Sequence, residues 1–137
     1  MSCDKHFGTK ITSIRYTFIS FVKKSILIIM TDKAKIIKDF TETMKAHYGE
    51  RLSKIILYGS YARGDFHEES DIDFMVILND KEVKASKEIT HTYQLLNELT
   101  LKNDVWVSMF ATSRSKFETA TKALFRFVKQ EGVIVYE

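Results

Sequence analysis

Proline is absent from the 137 residues, cysteine occurs once, at Cys3, tryptophan once, at Trp106, and glycine only five times. One thiol can form neither an internal disulfide nor a cysteine-based zinc cluster. A reducing cytoplasm is the compartment this suggests. There is no internal repeat and no low-complexity stretch. A long apolar run is also missing. Ile11 to Met30 is apolar-rich, but Arg15, Lys23 and Lys24 interrupt it, and the longest clean run, Ile26 to Met30, has five residues. A membrane span needs about 20, and no small-residue cleavage site of a secretory signal comes after it. Charge of one sign is not in excess either. The 21 Lys and Arg against 18 Asp and Glu leave a net charge of +3, which permits a small polyanionic ligand and is too weak to argue for nucleic acid.

The remaining composition is ordinary for a globular chain: 45% apolar and 28% charged residues. The length suits one domain with a real core, burying roughly two-thirds of the surface of the unfolded chain. Ile11, Ile14, Phe18 and Phe21 or Val22 fall on one helical face, yet the regular pattern begins only near Thr31. Residues 1–29 therefore read as an N-terminal extension and 30–137 as the domain. Thr31 or Asp32 can cap a helix carrying Ile36, Ile37, Phe40, Met44 and Tyr48, stopped near Gly49. Ser53 to Tyr58 reads as a strand, Asp71 to Leu78 as a second, Lys84 to Leu99 as a helix, and Asp104 to Phe110 as a third strand. Ser113 can cap a single last helix with Phe117, Ala120, Leu124, Phe127 and Val128, and after Gly132 a fourth strand, Val133 to Tyr136, can form. Such an order predicts an α/β (α+β) fold, a small mixed sheet with flanking helices. The connection from Tyr58 to Asp71 is too short for a helical crossover, so the first two strands should be antiparallel neighbours.

Two local signals carry chemistry. In Asp71-Ile-Asp73, alternate strand positions put both carboxylates on one side. Aspartate is depleted in strands, and two such anions repel unless a cation lies between them. Oxygen ligands of this kind suit Mg²⁺ or Mn²⁺. The bland alternative is a turn cap at Asp71 with Asp73 merely exposed. An EF-hand fails, because Phe74, Met75 and Val76 stand where oxygen ligands or glycine are required. The second signal is Gly59-Ser60 directly after an apolar strand. There the backbone can approach a phosphate, the Ser60 hydroxyl can donate to it, and Tyr61 to Arg63 can begin a short helix. No Walker motif is formed, since the turn lacks Gly-Lys-Ser/Thr. Arg63 could meet phosphate or a carboxylate, or lock the Gly59 to Gly64 loop through backbone carbonyls. His6, His47, His67 and His91 lack metal-ligand spacing.

Gly59-Ser60, ten intervening residues and Asp71-Ile-Asp73 resemble the signature of the polymerase-beta-like nucleotidyltransferase superfamily. Leu57-Tyr-Gly-Ser-Tyr-Ala-Arg-Gly64, Ser70-Asp-Ile-Asp73 and the ending Gln130 to Glu137 are similar to the minimal nucleotidyltransferases that pair with HEPN toxins. The resemblance covers Met30 to Glu137. It implies the polymerase-beta-like nucleotidyltransferase fold and a metal-dependent transfer of a nucleotide, AMP from ATP, to an acceptor hydroxyl. It also implies two Mg²⁺ ions, with Mn²⁺ able to substitute, on Asp71, Asp73 and a third carboxylate opening the strand after the helix. Asp104 fits that third position, against the alternative of a plain Asn103-Asp104 turn; Asp80 and Glu98 fit less well. Gly59, Ser60 and Arg63 are then the nucleotide-binding residues. The implied partner and acceptor is a HEPN-domain toxin, modified on a tyrosine, with this chain as antitoxin. No membrane role and no nucleic-acid substrate are expected. A non-catalytic binding antitoxin and an aminoglycoside-type nucleotidyltransferase are the competing readings, and a D-x-D glycosyltransferase normally needs a far longer chain.

Overall fold

The computed structural model describes Ile19, Ser20, Lys23 and residues 32–137. Ile19 and Ser20 are helical and exposed. The rest of the amphipathic pattern at Ile11 to Val22, the Met30 boundary and the Thr31 cap lie outside the described residues. Contacts divide the chain between Lys35 and Ile36, and the sheet with the helical residues that cover it, from Ile36 onward, belongs to the second unit.

Helix α1 spans residues 32–48. Ile36, Phe40, Met44 and Tyr48 recur every four residues along it and are all buried, the spacing that puts side chains on one helical face. Phe40 stacks on Phe74 with ring centroids 3.8 Å apart. A short 3-10 turn, Gly49–Arg51, leads into β1 (Leu52–Tyr58), then α2 (Ser60–Arg63), β2 (Ile72–Leu78), α3 (Ala85–Asn103), β3 (Val107–Ser113), α4 (Arg114–Thr119), α5 (Ala123–Glu131) and β4 (Val133–Tyr136). The sheet order is β3-β2-β1-β4. β1 runs antiparallel to β2 and to β4, while β2 and β3 are parallel, so the sheet is mixed and the first two strands are the expected antiparallel neighbours.

Both faces of the sheet are covered, and the period of two decides what each receives. Ile72, Phe74, Val76 and Leu78 join α1, Leu99 of α3 and the β3 residues Val107, Met109 and Ala111. Met75, Ile77 and Ile56 face the other way, onto Phe125 and Val128 of α5. That alternation also sends Asp73 to the α5 face. α5 is short, and the end of that face holding Tyr58, Asp73 and Ser108 is only half-buried.

Two expectations are corrected. The single helix after Ser113 is two helices. Ser113 does cap α4, its side chain accepting from Lys116 N–H, but Ala120 and Lys122 are extended. Lys129 Nζ donates to the carbonyls of Glu118 and Ala120 at 3.0 and 3.4 Å, satisfying helix-end acceptors that a continuous helix would have used. The break re-phases α5 relative to α4, so Phe125 is buried and Phe127 is exposed. The third strand begins at Val107 rather than Asp104, because α3 continues through Asn103, whose side chain donates to Leu99 O at 3.0 Å. No glycine or proline stops that helix at Leu99, and Asp104 ends it in the left-handed conformation, φ +51.

The far end of the sheet is closed by an ion network. Buried Glu88 accepts from the Tyr48 hydroxyl and from Arg51 Nη2, each at 3.1 Å, and Arg51 Nε donates to Asp80 at 3.1 Å. Asp80 is thereby accounted for, far from the Asp71-Asp73 pair in the strand register. No helix among the described residues is long and apolar enough to cross a membrane.

Candidate active site

β1 ends where β2 begins. Tyr58 lies opposite Asp73 in the antiparallel register, and Ser108 lies beside Asp73 in the parallel one. Three neighbouring strand ends thus deliver Tyr58, Asp73 and Ser108 to one spot, with Asp71 one step outward and exposed. Gly59 turns the chain at the end of β1 with φ +74, a region open to glycine and closed to most side chains. A Cβ built on Gly59 would stand 2.7 Å from Asp73 Oδ2. The bare backbone is therefore what lets the Gly59-Ser60 turn lie against the Asp73 carboxylate.

The turn itself is tightly bonded. Gly59 O accepts from the N–H groups of Ala62 and Arg63 at 3.1 and 3.2 Å, and Ser60 O accepts from those of Gly64 and Asp65 at 2.9 and 3.2 Å. These bonds form the single turn of α2, which Gly64 ends at φ +82. Tyr61 anchors the turn from below, stacked on Phe66 with centroids 4.2 Å apart.

Electrostatics mark Asp73. Burial pushes its carboxyl above the ordinary aspartate range; a hydrogen bond from the Ser108 hydroxyl opposes this, and the negative Asp71 adds to it. Burial, with the Asp73 charge as a second cause, pushes the Tyr58 phenol to about 12, which keeps it a neutral hydroxyl at physiological pH. Partial burial, mutual repulsion and hard oxygen donors make a pair that gains from a divalent cation.

Other expected residues are placed elsewhere. Asp104 does not join Asp71 and Asp73. It is exposed in the cap after α3, and among the described residues no three His, Cys, Asp or Glu side chains are grouped to hold a metal. Arg63 does not lock its loop through backbone carbonyls. It donates to Asp65 at 3.2 Å and to Glu131 at 3.4 Å, tying the loop to the end of α5. Glu98 is exposed and accepts from Gln94. Ser108 and Tyr58 are the site residues that sequence reasoning missed. Tyr58 directly precedes Gly59, which was a usable signal, whereas Ser108 is marked only by the strand register.

A glycine turn able to cradle phosphate, backed against paired carboxylates at the end of a mixed sheet, defines a class: enzymes that handle phosphoryl groups with acidic side chains. The nucleotidyltransferase domain model matches residues 35–134. The chain belongs to this nucleotidyltransferase family and is an enzyme of that kind. Two Methanocaldococcus jannaschii proteins, each provisionally named a protein adenylyltransferase, are similar to it. One is 35% identical over 77% of this chain and 99% of its own length, and the other 36% identical over 54% and 73%. Among solved structures, a chain of a toxin–antitoxin complex with AMP-PNP shares the fold, with TM-score 0.55 and 22% identity over 73% of this chain and 72% of that one. A Sulfolobus solfataricus protein, provisionally called a nucleotidyltransferase, does so with TM-score 0.54 and 18% identity over 77% and 83%.

Proposed function

We propose that this enzyme transfers AMP from ATP to a hydroxyl of a partner protein, a tyrosine of a HEPN-domain toxin, and so serves as its antitoxin. One observation carries the reading: Gly59 packs its backbone against Asp73, so the phosphate turn and the carboxylate pair form a single site. The similarity to proteins named for adenylyl transfer to protein supports the reaction class, and the fold shared with a toxin–antitoxin complex holding AMP-PNP supports nucleotide and partner.

Asp71 and Asp73 would hold divalent cations, Mg²⁺ or Mn²⁺. Mg²⁺ needs only one or two carboxylates when phosphate oxygens complete its shell, so this donor set fits without Asp104. When bound, such cations draw charge from the α-phosphate and steady the leaving pyrophosphate. The Gly59-Ser60 turn holds the β- and γ-phosphates through backbone N–H groups and the Ser60 hydroxyl. Ser108 steadies the Asp73 carboxylate, and Arg63 holds the loop. The acceptor oxygen bonds to the α-phosphorus, the bond to the bridging oxygen of the β-phosphate breaks, and the hydroxyl proton leaves to water on the exposed Asp71 side.

The test is the intact mass of a HEPN-domain protein from the same organism after incubation with this enzyme, ATP and Mg²⁺. A gain of one AMP per modified hydroxyl is expected, lost in Asp71→Asn with Asp73→Asn and reduced less by Ser60→Ala. Inhibition of the partner with no change in its mass would show a binding antitoxin instead.

A further inference from the structure

The parallel strands β2 and β3 send the helices that follow them to opposite faces of the sheet. α3 packs through Leu99 on the Phe74 side, whereas α4 and α5 pack through Phe117 and Phe125 on the Met75 side. Where two connections diverge in this way, the carboxyl ends of the strands border a crevice, the usual place for a ligand in open α/β sheets. A recess of about 410 Å³ lies there, formed by residues from 81 to 84 after β2 and from 113 to 119 at the end of β3. Leu78 and Ser113, which close the two strands, are register partners. Leu78 is roughly 17 Å along β2 from Asp73, so the recess and the carboxylate pair occupy opposite ends of the sheet.

The recess has one-sided charge. Lys81, Lys84 and Lys116 line it against a single acid, Glu82. None of the three lysines has an ion-pair partner among the described residues. The neighbouring acids are paired with arginines instead, Asp80 and Glu88 with Arg51 and Glu118 with Arg114. Folding is not helped by this arrangement. Lys84 is the N-cap of α3, the end of a helix dipole that disfavours cations, and like charges around one recess repel. Hydroxyls add further donors. Ser113 is 4% exposed; its oxygen accepts from Lys116 N–H at 3.3 Å, and its hydrogen has no acceptor among the described residues. Ammonium groups and a free hydroxyl hydrogen offer only donors, the complement of an oxyanion. We infer that this recess is a second anion site, which binds the diphosphate or triphosphate group of a small ligand through Lys81, Lys84, Lys116 and the Ser113 hydroxyl. The inference does not depend on adenylyl transfer.

Metal-free buffer of low ionic strength separates the two ends of the sheet. Without a cation, Asp71 and Asp73 repel an anion, whereas the lysines need no metal. Inorganic pyrophosphate should then bind saturably, one per chain, by calorimetry. In the ¹⁵N-labelled protein the amide resonances of Lys84, Ser115 and Lys116 should shift, while those of Gly59 and Ser60 stay in place. Lys81→Gln with Lys84→Gln and Lys116→Gln should weaken binding by about tenfold or more. Removing the same charge from α1, by Lys35→Gln with Lys38→Gln and Lys45→Gln, should change it by no more than about twofold, because exposed charges beyond the screening length contribute little. ADP serves as a second probe. Equal affinity would confine recognition to the phosphates and tighter binding would extend it to the nucleoside, and either supports the site. Absence of saturable binding, an equal loss in the α1 variant, or shifts at Gly59 and Ser60 in place of those at the recess would overturn the proposal.

Discussion

Asp73 has a carboxylate placed where folding disfavours its charge. It is half-buried, next to another acid, and held by one hydroxyl. A carboxyl raised by folding binds its proton more tightly in the native than in the unfolded state, so the contribution of Asp73 to stability is greatest below the carboxylate range and declines as pH rises through it. Without metal, Asp73→Asn should therefore melt a few degrees higher than wild type at neutral pH and lose part of that pH dependence. Mg²⁺ should raise the wild-type melting temperature, more so at higher pH where both acids are ionised, and leave the variant nearly unmoved. Transfer activity of the variant should fall by on the order of a hundredfold or more. A variant that melts no higher, or keeps its activity, would remove Asp73 from the centre of the site. Thermal scans with and without Mg²⁺, beside a transfer assay, decide it.

The short turn α2 is framed by two glycines with positive φ and opposite surroundings. At Gly59, φ +74 combines with a Cβ position 2.7 Å from Asp73 Oδ2, whereas at Gly64, φ +82, nothing lies within 4 Å. Gly64→Ala should cost about 1 kcal/mol of backbone strain and leave ATP affinity near wild type. Gly59→Ala adds a clash with the carboxylate and should cost more, with loss of measurable ATP binding. Denaturant melts and ATP titrations would check this, and equal effects on ATP binding would contradict it. The same contrast explains what was legible in the sequence. Gly59, Ser60, Asp71 and Asp73 lie within fifteen residues and announce themselves by local rules: glycine at a turn, alternation in a strand. The spacing of Ile36, Phe40, Met44 and Tyr48 is likewise local and marked out α1. Ser108 reaches Asp73 only through the pairing of two strands separated by α3, which no local pattern encodes. The late end of α3 and the break at Ala120 to Lys122 were hidden for a related reason. Neither carries glycine or proline, and the break is stabilised by Lys129 reaching back from the next helix. The misplaced start of β3 is what put Asp104 among the metal ligands.

At the scale of the molecule, the mixed sheet assigns one task to each of three adjacent strand ends. β1 delivers the Gly59-Ser60 turn, β2 Asp71 and Asp73, and β3 the Ser108 hydroxyl that supports Asp73. The large core packs on the α1 and α3 side, the end of the α5 face around Asp73 is only half-buried, and the Arg51–Glu88 network closes the opposite end of the sheet. In the proposed reaction this arrangement works without a third carboxylate, and the acceptor comes from another protein. The proposed reaction fixes which bond of ATP breaks. The most direct measurement compares ATP labelled at the α-phosphate with ATP labelled at the γ-phosphate, each incubated with the enzyme, Mg²⁺ and a HEPN-domain protein from the same organism. The α-label should become covalently attached to that protein, and the γ-label should leave as pyrophosphate. Both outcomes should vanish in Asp71→Asn with Asp73→Asn. Attachment of the γ-label, or attachment of the α-label that persists in the double variant, would contradict nucleotidyl transfer at this site.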